Sequence, residues 1–210
     1  MNVTIRRRAL LSLPLAALFL ATVARADREA YKFDGAHTNV GFRIRHFVSK
    51  VSGSFRKFEG TIEIDRAKPA TSTVELKIET GSIDTGNAKR DDHLRSPDFF
   101  DAVKFPEMTF KSTKITDKGN GAYEVAGDLT MKGVTKPVVL NVTSLGFAKD
   151  GRGGEKTGFE VTGKVNRKDF GVAWNAPMDG GGVMLGEDVE LDISVEANKK
   201  KPEAPAPAPK

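Results

Sequence analysis

The stretch YEVAGDLTMKGVTKPVVLNV, residues 123–142, contains two alternating runs separated by a short turn. The apolar residues of each run recur at every second position: Tyr123, Val125, Leu129 and Met131 in the first, then Val138, Leu140 and Val142 in the second. Period-two alternation is typical of β-strands with one apolar and one polar face. The lysine and glycine between the runs are typical of a turn. The stretch therefore predicts two strands joined by a turn.

The same alternation recurs along most of the chain, at 40–44, 58–64, 74–78, 108–110, 159–165 and 189–195. Turn sequences such as DKGNG at 117–121 and KDGRGG at 149–154 separate these runs. Residues 87–102 break the pattern and predict a short helix. Roughly eight antiparallel strands, each with one apolar face, indicate either a closed barrel or a two-sheet sandwich.

Three glycines bear on the choice between barrel and sandwich. Gly60, Gly127 and Gly163 fall in register with the apolar faces of three different strands. A sandwich core needs bulky residues at such positions, whereas an eight-stranded barrel can enclose one small ligand. Alternatively, each glycine marks a bulge or a tight bend. We interpret the three together as favouring a barrel with an internal cavity.

The two ends of the chain differ in composition from the segment between them. Residues 1–26 combine Arg6–Arg8, an apolar run over 9–23 and the sequence Ala24-Arg25-Ala26, which is typical of a cleaved signal peptide. The paired arginines also fit a twin-arginine signal. The Lys-, Pro- and Ala-rich residues 199–210 predict a disordered tail. We therefore expect one exported, periplasmic domain over 27–198.

The net charge of +5 comes from these ends. They hold eight of the 33 lysines and arginines but one of the 28 acidic residues, which leaves 25 bases and 27 acids in the domain. A nearly neutral domain lacks the basic footprint of a nucleic-acid-binding protein. The basic tail could contact anionic membrane surfaces transiently. The absence of cysteine excludes disulfides, a thiolate nucleophile and a lipid-anchored N-terminal cysteine.

Several separate blocks, in the same order, resemble the YceI-like family of polyisoprenoid-binding proteins. They are YKFDGAHTNVGFRIRHFVSKVSGSFRKFEGTIEID (31–65), SIDTGNAKRDDHLRSPDFFDAVKFPEMTFKSTKI (82–115), GDLTMKGVTKPVVLNV (127–142), NRKDFGVAWN (166–175) and GEDVELDISVEA (186–197). The resemblance implies an all-β, eight-stranded antiparallel, lipocalin-like barrel with a short helical segment near its mouth. It also implies an exported location and an elongated apolar ligand, such as an isoprenoid quinone or a prenyl phosphate.

The alternation and the resemblance together predict which residues meet such a lipophilic small molecule. The expected barrel interior comprises Phe42, Ile44, Phe58, Gly60, Leu76, Ile78, Phe99, Phe100, Met108, Phe110, Val125, Gly127, Leu129, Leu140, Phe159, Val161, Gly163, Leu191 and Ile193. The expected rim around the ligand head comprises Arg90, His93, Arg95, Trp174 and Asn175. We expect no cofactor other than a bound isoprenoid lipid or quinone.

Two other functions compete with a non-enzymatic carrier. An exported hydrolase could use Asp91, His93 and Ser96, although no nucleophile-elbow pattern is present and the adjacent Asp91 and Asp92 diverge by about 100° on a helix. A ligand-free interaction protein would instead have a filled barrel. The three histidines, at 37, 46 and 93, lack the spacing typical of metal motifs, so we expect no metal site.

Overall fold

The computed structural model describes residues 28–178 and 181–201. In this part of the chain the single α-helix, α1 (Ala88–Arg95), lies between the sixth and seventh of eleven β-strands. The strands are β1 (Glu29–Phe33), β2 (Asn39–His46), β3 (Ser49–Phe55), β4 (Phe58–Ile64), β5 (Thr73–Glu79), β6 (Ile83–Asp84), β7 (Glu107–Gly119), β8 (Ala122–Met131), β9 (Val134–Lys149), β10 (Glu155–Asn166) and β11 (Leu185–Lys199).

Eight of these strands form a closed antiparallel ring in the order β1-β4-β5-β7-β8-β9-β10-β11. The ring closes because β11 pairs with β1, with Tyr31 opposite Lys199 and Phe33 opposite Ala197. Closure leaves no free edge in the ring, since every strand has a hydrogen-bonded neighbour on both sides. The prediction of an eight-stranded antiparallel barrel with one short helix is confirmed.

The other three strands branch from the ring at β11. Residues 185–194 of β11 pair with β2, which pairs with β3, which in turn pairs with β6. Residues 197–199 of the same strand pair with β1. β11 therefore belongs to both the ring and the branch. Along most of the length of β11 the neighbouring strand on this side is β2, and only at its end is the neighbour β1.

The turn between β8 and β9 shows how local sequence sets the pairing of the strands. Lys132 and Gly133 both have positive φ, 50° and 77°. Two left-handed residues in a two-residue loop match the twist of the flanking strands. The ring of Phe105 packs so closely on Gly133 that a Cβ there would lie 2.8 Å from it. The predicted turn is confirmed, and its second position accepts only glycine.

Helix α1 begins at a side-chain cap. The Oδ1 atom of Asn87 accepts a hydrogen bond from the backbone N–H of Arg90 at 3.0 Å, which satisfies one of the free donors at the helix start. At the other end the backbone N–H of Ser96 donates to the carbonyl of His93. Within residues 28–178 and 181–201, no helix is long and apolar enough to cross a lipid bilayer.

The ends of the folded domain differ slightly from the expected boundaries. Strand β11 runs through Lys199, and the N–H of Lys200 donates to the carbonyl of Ala30 at 2.7 Å. The ordered domain therefore extends into the segment predicted as a tail, because β1 provides pairing partners for it. The predicted signal peptide, residues 1–26, and the tail from residue 202 onward lie outside the described residues.

Candidate ligand-binding cavity

The barrel encloses a cavity of about 720 Å³, which lies within the range typical of small-molecule pockets. Fifteen of the nineteen predicted interior residues line it: Phe42, Ile44, Leu76, Ile78, Phe99, Phe100, Met108, Phe110, Val125, Leu129, Leu140, Phe159, Val161, Leu191 and Ile193. The lining side chains come from the ring strands, from β2 and from the segment around α1. The inward faces of the alternating strands thus bound one continuous apolar space.

The three glycines have a different role from the one expected. Each lies beneath a larger side chain of a neighbouring strand: Phe33 covers Gly60, Phe110 covers Gly127 and Leu140 covers Gly163. A Cβ at Gly60 would lie 2.5 Å from the Phe33 ring, and one at Gly163 would lie 2.8 Å from Leu140 Cδ2. The space above the glycines is therefore already filled. The expectation that they open the cavity is wrong, although the cavity exists.

Phe58 also lies outside the cavity lining, contrary to expectation. Its half-buried ring packs instead against the main cluster of buried hydrophobic residues. Strand β4 reaches the cavity farther along, through Ile62 and Ile64. The face of β4 that points inward is the one predicted, but Phe58, its first residue, packs against other side chains and does not line the cavity.

One end of the cavity lies beside α1. Arg90, His93 and Trp174, three of the five predicted rim residues, line it there. The Nε atom of Arg90 donates to Thr85 Oγ1 at 2.7 Å and its Nη2 donates to the Thr85 carbonyl at 2.8 Å. Two of the five N–H donors of the Arg90 guanidinium are thus used within the protein.

His93 belongs to an aromatic cluster at this end. Its ring centroid lies 5.0 Å from that of Phe99 and 4.9 Å from that of Trp174, both nearly edge to face. The Nε2 atom of His93 lies 2.9 Å from Asp98 Oδ2. Edge-to-face rings at these distances attract one another. The cluster therefore joins α1 to the segment after β10 and forms part of the cavity wall.

The other two predicted rim residues are structural. Arg95 donates from Nε to the Gly81 carbonyl at 2.8 Å and from Nη2 to the Ile83 carbonyl at 2.9 Å. Asn175 donates to the Leu185 carbonyl and accepts from its N–H, both at 2.9 Å. Neither lines the cavity, because the polar groups of both side chains are bound to backbone. This corrects the predicted rim.

The arrangement of Asp91, His93 and Ser96 differs from that of a hydrolase. Asp91 is buried, and its Oδ1 accepts hydrogen bonds from the N–H of Thr85 at 3.0 Å and from its hydroxyl at 2.5 Å. The Ser96 hydroxyl donates to the backbone carbonyl of His93 at 2.7 Å. A catalytic serine needs the imidazole as its base. Asp91 instead fastens α1 to the segment after β6, and Ser96 caps the end of the helix.

Arg167 is a cavity residue that the sequence analysis missed. It follows β10 in a 3₁₀ turn (Arg167–Phe170), is 4% exposed and lines the cavity. Burial lowers the pKa of its guanidinium. A signal was present, because Arg167 continues the inward-facing alternation of Phe159, Val161 and Val165. The basic residue at the end of that series could have been assigned to the interior.

The opposite end of the cavity is lined by Arg66 and Phe147, with the Arg66 guanidinium 3.8 Å from the centre of the Phe147 ring. Arg66 forms ion pairs with Glu29 and Glu155 and donates to the Tyr31 hydroxyl at 2.8 Å. Tyr31 is fully buried, and burial together with its hydrogen bond to Glu155 raises the pKa of the phenol. We call Glu29, Tyr31, Arg66, Glu155 and Lys199 the closure network.

One group of residues in the described ranges has metal-ligand geometry. Ligand atoms of Asp34, His37 and Glu196 lie within 4.8 Å of one another, outside the cavity. The ammonium of Lys156 forms ion pairs with both carboxylates, at 3.3 Å to Asp34. A lysine between the two acids already supplies the positive charge that a cation would bring. His46 and His93 lie elsewhere, on the cavity wall.

A closed antiparallel barrel around an apolar cavity, with polar side chains at the two ends, defines the class of internal-cavity β-barrels. Within that class the chain belongs to the YceI-like family, because the YceI-like domain model matches residues 31–197. A UPF0312 protein of Vibrio cholerae is 42% identical over 169 residues, covering 79% of this chain and 89% of the relative.

Solved structures share the barrel. The crystal structure of a Campylobacter jejuni YCEI protein is similar with a TM-score of 0.66 and 38% identity, covering 80% of this chain and 96% of that one. A polyisoprenoid binding domain from Saccharophagus degradans, implicated in plant cell wall breakdown, is similar with a TM-score of 0.57, covering 81% and 98%. Its 15% identity makes that likeness one of fold.

Proposed function

We propose that the protein binds an elongated lipophilic molecule with an isoprenoid chain inside the barrel and carries it without catalysing a reaction. The observation that carries this proposal is the apolar cavity of about 720 Å³. Burial of apolar groups gains about 0.8 kcal/mol per CH₂, so three or four isoprene units gain on the order of 10 kcal/mol before the costs of immobilisation. The barrel interior therefore offers enough free energy for stable binding.

Family membership supports a ligand of this kind. The domain from Saccharophagus degradans that shares the barrel is a polyisoprenoid binding domain. An isoprenoid chain is long, narrow and apolar, which suits a cavity that extends from α1 to the closure network. A barrel acting only as an interaction surface would not need an internal apolar cavity of this size.

The contacts of the polar residues near α1 support a carrier role. Asp91 bonds Thr85, His93 pairs with Asp98 and Ser96 caps the end of α1, so the side chains of the candidate hydrolase are engaged in structural contacts. From the predicted signal peptide at residues 1–26, we propose as part of the same function that the carrier acts in the periplasm. A lipophilic molecule crossing that aqueous compartment needs a shield from water, which a closed barrel supplies.

Solvent extraction of natively purified protein, followed by mass spectrometry, tests the proposal directly. We expect a co-purifying lipid with an isoprenoid chain, at a stoichiometry near one per barrel. An extract without lipid, from protein that also fails to take up a fluorescent prenyl probe, contradicts the proposal.

A matched pair of variants locates the binding site. Val161 lines the cavity, whereas the next residue, Thr162, is exposed on the outer face. Val161→Trp fills part of the cavity and should weaken uptake of a fluorescent prenyl probe by about tenfold or more, because the added ring takes space that the prenyl chain would occupy. Thr162→Trp should leave uptake unchanged. Equal uptake by the two variants, both shown to be folded by circular dichroism, would place binding outside the barrel.

A further inference from the structure

The guanidinium of Arg167 is held rigidly by the backbone. Its Nε donates to the Gly186 carbonyl at 2.9 Å, and its Nη1 donates to the carbonyls of Val172 at 2.7 Å and Trp174 at 2.8 Å. A guanidinium has five N–H donors. Three of them are used, and both hydrogens of Nη2 remain.

That Nη2 atom is the one buried side-chain nitrogen or oxygen without a hydrogen-bond partner among residues 28–178 and 181–201. An unpaired donor in a buried position costs free energy, and such groups call for an explanation. Because Arg167 lines the cavity, a ligand head that enters this end lies beside its side chain.

The charge of Arg167 is only partly compensated, by the nearby carboxylate of Glu187. All three of its acceptors are neutral carbonyls, and the neighbouring carboxylate of Glu187 forms an ion pair with Lys168 on the surface. A buried cation is stable only when a counter-charge and further hydrogen bonds accompany it. An anion would supply both, and a guanidinium pairs well with phosphate and carboxylate oxygens.

We propose that Arg167 binds the oxyanion head, a phosphate or carboxylate, of the lipophilic molecule whose chain occupies the barrel. The proposal rests on the proposed function and deepens it. An acidic prenyl lipid, such as a prenyl monophosphate, binds in preference to a neutral lipid of the same chain. The head lies at the end of the cavity beside α1, and the chain extends toward the closure network.

Farnesyl monophosphate and farnesol have the same chain and differ only in the head, so they separate the two proposals. Binding can be followed through the fluorescence of Trp174, the single tryptophan, whose ring lines the cavity. We expect the wild type to bind farnesyl monophosphate about ten- to a hundredfold more tightly than farnesol, the factor that one charge-assisted hydrogen bond supplies. Arg167→Met should remove this preference while the affinity for farnesol changes little.

Lys168→Met is the matched control. It removes the same charge one residue away, where Lys168 points to solvent and pairs with Glu187, so the preference for the phosphate should persist. Arg167→Lys should retain part of it. If Arg167→Met does not fold, the titrations of the wild type and of Arg167→Lys still test whether Arg167 binds the phosphate head.

Equal affinity of the wild type for farnesol and its phosphate overturns the assignment of Arg167 and leaves the proposed function standing. A preference that survives in Arg167→Met, or disappears in Lys168→Met, overturns it as well. Inorganic phosphate that binds as tightly as farnesyl monophosphate would assign Arg167 to a free anion rather than to a lipid head. Failure of both prenyl compounds to bind contradicts the proposed function itself.

Discussion

Arg66 and Arg167 line the cavity at opposite ends, as their contacts with the two ends of β10 show: Arg66 contacts Glu155, where β10 begins, and Arg167 directly follows its last residue. Arg66 has two carboxylates, a phenol and an aromatic ring around it. Arg167 has three carbonyls and one unpaired nitrogen. The protein neutralises the first arginine with its own residues, so that end is structural. The second retains binding capacity for a molecule that is not part of the chain.

The largest expected effect comes from removing the centre of the closure network. Tyr31 is fully buried, and its hydroxyl bonds Glu29, Glu155 and Arg66. Tyr31→Ala should lower the free energy of unfolding by about 3–5 kcal/mol, as loss of a buried aromatic ring does. Chemical denaturation monitored by circular dichroism measures the change.

Tyr31→Phe separates the ring from the hydroxyl. It keeps the packing and should cost about 1–2 kcal/mol, because the hydroxyl's partners retain one another. If Tyr31→Ala were as stable as Tyr31→Phe, the barrel would not depend on the closure network for its stability. The contrast between a structural end at Arg66 and a ligand-binding end at Arg167 would then be contradicted.

An intermediate effect is expected at the α1 end, from Asp91. Replacing this buried carboxylate by alanine leaves the N–H and hydroxyl of Thr85 without their acceptor, which should lower the free energy of unfolding by about 2 kcal/mol. The neighbouring Asp92 has a largely exposed side chain and forms only a surface pair with Arg95. Asp92→Ala should cost less than about 0.5 kcal/mol. A similar loss from both variants would show that Asp91 does not anchor α1.

The smallest effect depends on pH and belongs to Glu155. Hydrogen bonds from Tyr31, Lys199 and Arg66 lower the pKa of this carboxyl below its ordinary value of 4.5. Its ionised form therefore stabilises the fold above that value, and the contribution is lost as pH falls through the lowered folded-state pKa. Glu155→Gln should lower the melting temperature most near pH 7, with the difference from wild type shrinking below about pH 4. An unchanged difference at pH 3 would contradict the role of the ionised carboxylate.

The strands and the inward faces were predictable because they depend on local alternation. The runs at 123–131 and 138–142 reveal both the strand type and the buried side within a few residues. The covering of Gly60 by Phe33 was not predictable in this way, since it depends on which residues of two different strands lie opposite one another. The sequence of a single strand does not show which residues of a distant strand lie opposite it.

The closure network was hidden for the same reason. Glu29, Arg66 and Glu155 are far apart in the chain and meet only because β1 pairs with both β4 and β11. Arg167 is a different case. Alternation places it on the inner face, but the sequence analysis did not extend the series of inward-facing residues as far as position 167. Arginines are usually exposed, and the buried Arg167 is also the residue whose Nη2 atom has no hydrogen-bond partner.

The position of β11 has a consequence for how the molecule is made. It is the last strand among the described residues, and it pairs with β10, β1 and β2. A nascent chain that has not yet completed its final fifteen-residue strand presents three unsatisfied edges at once, each open to pairing with another chain. Closure of the barrel therefore requires β11, and a chain truncated within this strand is expected to aggregate rather than to form a slightly shorter barrel.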